Sequence, residues 1–425
     1  MSTAPLPRPA PEAPATLPTM LDRADERVSH HEGFRGELRA FTGRVRSGDL
    51  GMLPVVVGLV VITAVFTALN PVFVDADNLV NLLFDCATVG LISLGIVCVL
   101  LLGEIDLSVG SMSGLASAIL GVLWVGAGWP VVAAIPVALA AGAVVGLVYA
   151  ELYTRFGMPS FVATLAGLLA LLGLQLYLLG DTGSINLPYD AGLVELGQIL
   201  VMPAWLSYLL ALAPGAVLLF TGLGERRRRH TAGLSAKPVR VLAVKCGLVT
   251  VALLAAVFYL NLGRGLPWLF ALFAVLVVAM EYALRRTRWG RSMFAVGGNR
   301  EAARRSGINV RAIHRSAFVL CATFAAAGGV LSAARLASAS RQAGTGDVNL
   351  NAIAAAVIGG TSLFGGRGSA YSALLGVIVI QAISNGLTLL NLSSSLRYMI
   401  TGGVLAIAVI VDSLARRSRA SHGRA

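Results

Sequence analysis

Long apolar stretches separated by short polar ones dominate the pattern of this chain. Stretches of about 20 residues with few charges recur along most of its length, and that is the length that a helix needs to cross the hydrocarbon core of a bilayer. Lipid offers no partner for backbone polar groups, so such stretches form helices. The pattern predicts spans at 51–69, 79–102, 108–127, 130–151, 160–180, 204–223, 241–261, 266–284, 312–335, 350–363, 370–390 and 396–412.

The predicted span at 350–363 is short for a full crossing and suggests a half-helix. We therefore predict an all-α integral membrane protein, a polytopic helical bundle of about 10–12 transmembrane helices with broken or re-entrant segments. Hydrophobic residues make up 56% of the chain and charged residues 13%, which excludes an ordinary soluble domain. The predicted organisation is a disordered cytoplasmic tail at 1–49, a membrane domain at 50–412 and a basic cytoplasmic tail at 413–425.

The net charge of +12 raises the question of a nucleic-acid partner, but the location of the charge argues against one. With the N-terminus inside, 28 of the 33 Lys and Arg residues fall in the two tails, at Arg155 and in the loops 224–245 and 285–315. Basic residues accumulate on the cytoplasmic side of membrane proteins. We expect a multi-pass protein of a bacterial cytoplasmic (inner) membrane with both termini in the cytoplasm and no nucleic-acid partner.

The run ERRRRH at 225–230 lies in the predicted loop 224–245. It is read either as a contact with anionic membrane lipid or as a plain topology anchor that stops the preceding span. Both interpretations remain open at this point.

A short helix is predicted outside the membrane, in the stretch GGNREAARRSGIN. Asn299 suits the N-cap, Glu301 lies in the first turn, Arg304 and Arg305 lie in the last turn, and Gly307 suits the left-handed residue after a helix. So short a helix is marginal by itself in water. We expect packing against a partner to order it.

The same stretch resembles the Glu-Ala-Ala-x-x-x-Gly loop of bacterial ABC importer permeases, through Glu301, Ala302, Ala303 and Gly307. In that family the loop forms a coupling helix, which docks on the ATPase subunit and transmits its closure to the membrane spans. The resemblance implies an ATPase-coupling site made of Asn299, Glu301, Ala302, Ala303, Arg304, Arg305 and Gly307. A plain surface loop is the alternative.

Four motifs widen the resemblance to residues 50–412: GEIDLSVGSMSG, MPSFVATLAG, AVGGNREAARRSGINV and AAAVIGGTSLFGGRGS. In this order they resemble the permeases for ribose, xylose, arabinose and related sugars, and the long middle section at 181–265 is most similar to the xylose type. The resemblance implies a second permease copy, an ABC ATPase subunit and a periplasmic or extracellular sugar-binding protein as partners.

The sequence contains no recognisable nucleotide-binding motif. There is no GxxxxGK[ST] phosphate loop, so we expect no cofactor bound by this chain, with ATP and Mg in the partner ATPase. There is no HExxH or GxSxG motif either, and all five histidines, His314 among them, fall in predicted tails or loops. We expect a transport subunit, not an enzyme, and no metal site.

Two acids, Glu104 and Asp106, lie between the second and third predicted spans. Charged groups at membrane depth are costly and are shielded from lipid. Under one interpretation Asp106 or Ser108 caps the third span while Glu104 acts on its dipole. Under the other, residues 103–108 break the helical path and line the translocation pathway. The two interpretations are compatible.

A glycine-rich segment, Gly359 to Ser369, interrupts the apolar pattern near the C-terminus. Glycines allow sharp turns and close backbone contacts. We predict a re-entrant or broken-helix loop on the translocation pathway, with a tight cytoplasmic turn as the alternative. The pathway residues predicted from both segments are Glu104, Asp106, Ser108, Gly359, Gly360, Thr361, Gly365 and Gly366.

Two other functions are alternatives to an ATP-driven sugar importer. An ion-coupled secondary transporter would use titratable groups within the membrane, for which the sequence offers Asp85, Glu104 and Asp106. An integral membrane enzyme would need a cluster of nucleophile, base or metal ligands, and the sequence offers none.

Overall fold

A computed structural model describes residues 53–236 and 238–404, together with residues 406 and 410. The predicted tails 1–49 and 413–425 lie outside the described residues, as does part of the predicted span 396–412. Within the described part, nine helices are long and apolar enough to cross a membrane, and two shorter apolar helices, Val55–Leu69 and Val348–Ile358, accompany them. The protein is a polytopic helical membrane protein, as its sequence pattern predicts.

The elements are numbered here in chain order. The helices are α1 Leu53–Leu69, α2 Ala76–Leu101, α3 Val109–Gly121, α4 Val131–Phe156, α5 Ser160–Leu179, α6 Gly192–Gln198, α7 Ala204–Thr231, α8 Val239–Leu260, α9 Trp268–Arg286, α10 Arg288–Gly298, α11 Arg300–Arg305, α12 Val310–Leu336, α13 Val348–Ile358 and α14 Ala370–Leu389. A 3-10 turn covers Pro71–Val74, a π-helical turn covers Val122–Gly126, and residues 394–404 are helical. The short strands β1 Ser184–Asn186 and β2 Ser338–Ser340 pair in antiparallel fashion.

The described residues divide into two compact units. One is formed by Leu209–Ala255, which covers most of α7 and α8. The other contains the remaining described residues, 53–208, 256–404, 406 and 410, and holds every residue of the predicted ATPase-coupling site and translocation pathway. The candidate site is therefore a property of this larger unit alone.

Three details of the polar segments differ from prediction. The run at 225–230 is not a loop but the last two turns of α7, where Arg and His face the negative end of the helix dipole. Segment 285–315 contains a helix that was not predicted, α10, which buries Gly290, Met293 and Val296 on one face. His314 is buried inside α12 and not in a loop. The predicted loop 285–315 and the predicted span 312–335 overlap at this residue, and the structure assigns it to the helix.

Helix α12 lies at the centre of the larger unit, and glycines let its neighbours approach its backbone. A methyl group at Gly146 of α4 would lie 2.4 Å from the carbonyl oxygen of Phe318, and one at Gly142 would lie 2.6 Å from that of Ala322. The GxxxG motif of α4 therefore serves packing within one chain, where small residues allow close contact in lipid.

The chain between α12 and α13 enters the helical bundle as irregular backbone. A methyl group at Gly114 of α3 would lie 2.2 Å from the carbonyl oxygen of Ala343, and one at Gly110 would lie 2.5 Å from that of Gly344. The buried side chain of Gln175 donates to the carbonyls of Ser340 and Ala343, each at 3.0 Å. Irregular backbone at membrane depth is tolerated where protein surrounds it in this way.

Helix α13 has 11 residues and is about 16 Å long at 1.5 Å per residue, half of what a crossing requires. This agrees with the half-helix suggested by the short apolar run at 350–363. The glycine-rich segment follows α13 directly, and α14 begins after it at Ala370.

Candidate functional site

Three separate parts of the sequence meet at one end of the larger unit, called here the α11 end. The amide of Gly366 in the glycine-rich segment donates to the carbonyl of Leu101, the last residue of α2, at 2.9 Å. A methyl group at Gly297 of α10 would lie 1.8 Å from the same carbonyl oxygen. The glycine-rich segment, the turn after α2 and the helices between α9 and α12 are thus in direct contact.

Helix α11 has the ends that its sequence predicts. The Asn299 side chain accepts a hydrogen bond from the amide of Ala302 at 2.9 Å, and Gly307 has φ +83°. Behind the helix, the amide of Gly307 donates to the carbonyl of Arg304, and that of Ile308 to Ala303, which is the Schellman pattern. Arg304 and Arg305 both bind Glu301 on the exposed face, while Ala303 is buried.

A chain of polar contacts leads from α11 into the bundle. The guanidinium of Arg300 donates to the hydroxyl of Tyr153 at 2.7 Å, and that hydroxyl donates to the carboxylate of Glu104. On the other side of Glu104 lies the imidazole of His314, whose Nε2 is 3.6 Å from Oε1 of Glu104. The rings of Tyr153 and His314 are stacked with their centroids 4.8 Å apart. The first residue of α11 is thereby connected to one of the two acids.

Glu104 remains ionised despite its partial burial. Burial raises the pKa of its carboxyl, but the neighbouring His314 imidazole and the hydroxyls of Ser160 and Tyr153 outweigh burial and hold the pKa below its ordinary value. A cavity of about 360 Å³ lined by Glu104, Tyr153 and Ser160 opens at this point, and the Glu104 side chain is 15% exposed. The carboxylate therefore reaches solvent at the α11 end.

The backbone between α2 and α3 is irregular, as the second interpretation of residues 103–108 requires. Gly103, with φ +77°, ends α2. Side chains from other helices then bind the loop: the amide of Leu107 donates to the hydroxyl of Thr164 at 3.1 Å, and that of Ile105 reaches the hydroxyl of Ser160 at 3.5 Å. The path is broken here, and its backbone groups find partners inside the protein.

Ser108 occupies the N-cap position of α3, but the expected side-chain cap from Asp106 or Ser108 is absent. Oδ1 of Asp106 accepts from the amide and the hydroxyl of Ser108, at 2.8 and 2.7 Å, and neither residue makes a side-chain cap on the helix. The cap comes from a distant residue instead. Asn349 accepts a hydrogen bond from the amide of Gly110 at 2.9 Å and donates to the carbonyl of Leu107. The side chain that caps α3 therefore belongs to a residue 239 positions away from Gly110 in the sequence.

The glycine-rich segment folds back on itself at the α11 end. Gly360, Gly365 and Gly366 have φ of +106°, +81° and +73°, values that favour glycine, and a methyl group at Gly359 would lie 1.9 Å from the carbonyl oxygen of Ser372. Thr361 is buried. The segment therefore needs its glycines both for its turns and for close contact.

Two charged residues of α9 bind the glycine-rich segment. Glu281 accepts hydrogen bonds from the Ser369 hydroxyl at 2.9 Å and from the Ala370 amide at 2.8 Å, and so caps α14. Arg285 donates to the carbonyl of Gly368 at 3.0 Å and binds Glu281 at 3.0 Å. The position of the segment is thus tied to the helix that leads into α10 and α11.

The structure brings the predicted residues together in two groups that differ in exposure. Glu104, Gly365 and Gly366 lie at the α11 end near α11 itself, while Asp106, Ser108 and Thr361 are buried with at most 1% of their surface exposed. Buried side chains do not line an open pathway in this conformation. The role of Gly359, Gly360 and the other predicted pathway residues in contacting the substrate stays a prediction.

Sequence reasoning missed the residues that connect these segments: Arg300, Tyr153, His314, Asn349 and Glu281. Their contacts join residues far apart in the chain, and no local sequence pattern indicates these contacts. One signal was present for His314, which continues the buried face of α12 that includes Phe318 and Cys321 at helical spacing.

The fold and this site define a multi-pass helical membrane protein with broken spans that meet short helices at one end. A family model described as the branched-chain amino acid transport system / permease component matches residues 78–409, and the chain belongs to this family. No solved structure matches it significantly.

Three curated relatives have the following similarity. The xylose transport system permease protein XylH of Escherichia coli (strain K12) is 34% identical over 383 residues, which cover 89% of this chain and 95% of the relative. The ribose import permease protein RbsC of the same strain is 31% identical over 357 residues, 84% and 92% of the two chains. The probable ABC transporter permease protein YphD, also of that strain, is 33% identical over 389 residues, 90% and 94%.

Proposed function

We propose that this chain is the membrane-spanning permease subunit of an ATP-driven ABC importer for a monosaccharide, a pentose such as xylose. Two relatives that match most of the chain are described as xylose and ribose permeases, which supports a sugar. In this proposal a second copy of the chain completes the translocation pathway, and an external sugar-binding protein delivers the substrate. ATP and Mg belong to a separate ATPase subunit.

The observation that carries the proposal is the link from α11 to the broken span. Arg300, the first residue of α11, reaches Glu104 through the Tyr153 hydroxyl. An ATPase that moves α11 would pull directly on residues 103–108. Energy released outside the membrane would thereby act on the part of the bundle where the helical path is interrupted.

The same site supports a proposed orientation of the chain in the membrane and a proposed surface for the ATPase partner. The basic residues around α10 and α11 favour a cytoplasmic position for the α11 end, where an ATPase subunit operates. Helix α11 exposes Glu301, Arg304 and Arg305 and buries Ala303, so its polar face is available to a partner. We place both termini in the cytoplasm on the same charge distribution.

The ion-coupled alternative gains no support from the contacts of the three candidate carboxylates. Asp85 binds Arg335 at 2.9 Å, Glu104 accepts from Tyr153, and Asp106 accepts from Ser108. Each carboxylate already has a partner within the protein, and these contacts give no evidence for a site that binds and releases an ion. The relatives that are named as sugar permeases favour the ATP-driven importer.

Uptake into proteoliposomes tests the proposal. Vesicles holding this chain, its ATPase and ATP should accumulate labelled xylose or ribose when the cognate binding protein is outside. Vesicles without the ATPase, or with a proton gradient in place of ATP, should not. Sugar accumulation by the chain alone, driven by a proton gradient, would refute it.

A further inference from the structure

Polar side chains form a stripe on two neighbouring helices at the end of the larger unit opposite α11. Asn78, Asn81 and Asp85 lie on one face of α2 at helical spacing. Gln381, Ser384 and Asn385 lie on one face of α14. These six residues, called here the polar stripe, are all partly exposed in the single chain.

The stripe extends well into the span. Asp85 is nine residues from the start of α2, about 14 Å along the helix, and Gln381 is eight residues from the end of α14, about 12 Å. The two residues lie at the same level, because the Gln381 side chain donates to the Asp85 carbonyl at 3.1 Å. The Asp85 side chain is nevertheless 43% exposed.

Hydrogen bonds and ion pairs hold the stripe in place. The amides of Asn78 and Asn385 exchange hydrogen bonds of 2.9 and 3.0 Å, and the guanidinium of Arg335 binds Asp85 at 2.9 Å. Arg264 donates to the side chain of Asn81 at 2.6 Å. The result is a fixed set of amide, carboxylate and guanidinium groups with no large excess of charge.

Toward the α11 end the same two faces become apolar. On α14 the partly exposed positions are Leu374, Leu375 and Ile378, and on α2 the next position after Asp85 is Val89, followed by the buried Ile92. The polar groups are thus confined to one part of each face. This confinement shows that the stripe is a local feature and not a general property of the helix surfaces.

Lipid is an unsuitable neighbour for the stripe. An ionised or amide side chain at membrane depth faces a protein interior or a water-filled cavity, because hydrocarbon leaves it unsolvated. The described chain leaves these groups partly uncovered. Their exposed atoms therefore require water or a polar ligand in the assembled protein.

We infer that the polar stripe lines the entrance of the sugar pathway and hydrogen-bonds the hydroxyl groups of the passing sugar. The inference rests on the proposed function, and it names residues other than those predicted from the sequence. Amides and carboxylates offer donors and acceptors side by side, which suits neighbouring hydroxyls of a sugar. A second copy of the chain would place a second stripe across the pathway.

Cysteine labelling tests whether water reaches the stripe in the assembled transporter. Ser384→Cys and Asn81→Cys should react with a charged thiol reagent that does not cross membranes. Leu169→Cys, on the face of α5 where Leu169 is 66% exposed, should not react because lipid covers it. The native cysteines are buried in the described structure, so the unmodified chain should not react and serves as the negative control.

Sugar protection then tests the contact itself. Sugar-loaded binding protein should slow labelling of Ser384→Cys several-fold during turnover, and Gln381→Ala in the same chain should remove that protection. Labelling of Ser384→Cys as slow as that of Leu169→Cys, or labelling that sugar leaves unchanged, would overturn the inference. The unmodified complex serves as reference: if it imports sugar while the stripe fails these tests, only the inference is lost.

Discussion

Tyr153 joins three groups at the α11 end. Its hydroxyl donates to Glu104 and accepts from Arg300, and its ring stacks on His314. The guanidinium of Arg300 also lies 5.3 Å from the centre of the ring, a favourable cation–π distance. The hydroxyl makes the hydrogen bonds that connect α11 to residues 103–108, while the ring contributes its contacts with His314 and Arg300. The two roles can therefore be separated by one substitution.

Tyr153→Phe should keep the packing and remove the connection. We expect stability to fall by about 1.5–3 kcal/mol, because the lost hydrogen bonds join the hydroxyl to the charged groups of Glu104 and Arg300. Transport should fall between about two-fold and thirty-fold, the range of a coupling energy of roughly 0.5–2 kcal/mol. The measurement is ATP-driven uptake per molecule of protein in the membrane. Tyr177→Phe, at a ring that is 82% exposed, is the control. Equal uptake by both variants would contradict a role for the Tyr153 hydroxyl.

Glu104 makes the stability of the protein depend on pH in a defined direction. Its folded-state pKa lies below the ordinary value of 4.5, so the ionised form stabilises the fold above the unfolded pKa. That contribution disappears as pH falls through the folded value. The melting temperature of the unmodified protein should exceed that of Glu104→Gln near neutral pH, and the difference should shrink below about pH 4.5. A difference that grows as pH falls would contradict the assignment.

At the scale of single elements, helix α11 could be predicted almost completely from its sequence. Its N-cap at Asn299, its charges at Glu301 and Arg304 and its left-handed end at Gly307 are all local features, and the structure has each of them. The cap of α3 could not be predicted, because the side chain that binds the amide of Gly110 belongs to Asn349. Local capping chemistry is visible in a sequence, whereas capping across the fold is not.

Disrupting α11 should stop transport without removing the protein from the membrane. Glu301→Lys reverses the charge in the first turn and breaks its pairs with Arg304 and Arg305, and Gly307→Val opposes a φ of +83°. Both variants should lose ATPase association and sugar uptake, as measured by co-purification and by uptake assays.

Gly298→Ala is the matched control for these variants, since nothing lies within 4 Å of a methyl group at that position. It should behave like the unmodified protein. The coupling assignment would be lost if Glu301→Lys and Gly307→Val kept both ATPase association and uptake.

Asn349→Ala should destabilise the larger unit because it leaves the Gly110 amide and the Leu107 carbonyl without their partner. We expect a loss of about 2–3 kcal/mol, the sum of a lost cap and an unsatisfied buried group. The measurement is thermal unfolding in detergent. Gln342→Ala, which removes an exposed amide in the same segment, should change stability by less than about 0.5 kcal/mol. Similar losses in both variants would argue against the cap.

For the whole molecule, the sequence predicted the class of fold and most spans to within a few residues. Apolar length is a direct consequence of bilayer thickness, which explains this success. Three features were missed: the amphipathic helix α10, the buried irregular backbone near Ala343 and the polar stripe. Each depends on which neighbours surround a segment, and hydropathy along the chain carries no information about neighbours.

The charge distribution predicts which side of the membrane each end faces. Ser306→Cys, next to α11, should react with an impermeant thiol reagent only after the cells are permeabilised. Thr182→Cys, at the exposed turn after α5, should react in intact cells. The reverse pattern would invert the proposed orientation and place the ATPase partner on the wrong side.

The glycine contacts of α12 also limit how the length of the chain can change during evolution. Methyl groups at Gly95, Gly146 and Gly329 would lie 2.8, 2.4 and 2.0 Å from backbone oxygens of neighbouring helices. One inserted residue in α12 would rotate everything after it by about 100° and would bring side chains where only hydrogen atoms fit. Natural variants should therefore gain or lose residues in exposed turns such as 188–190, and never within this helix.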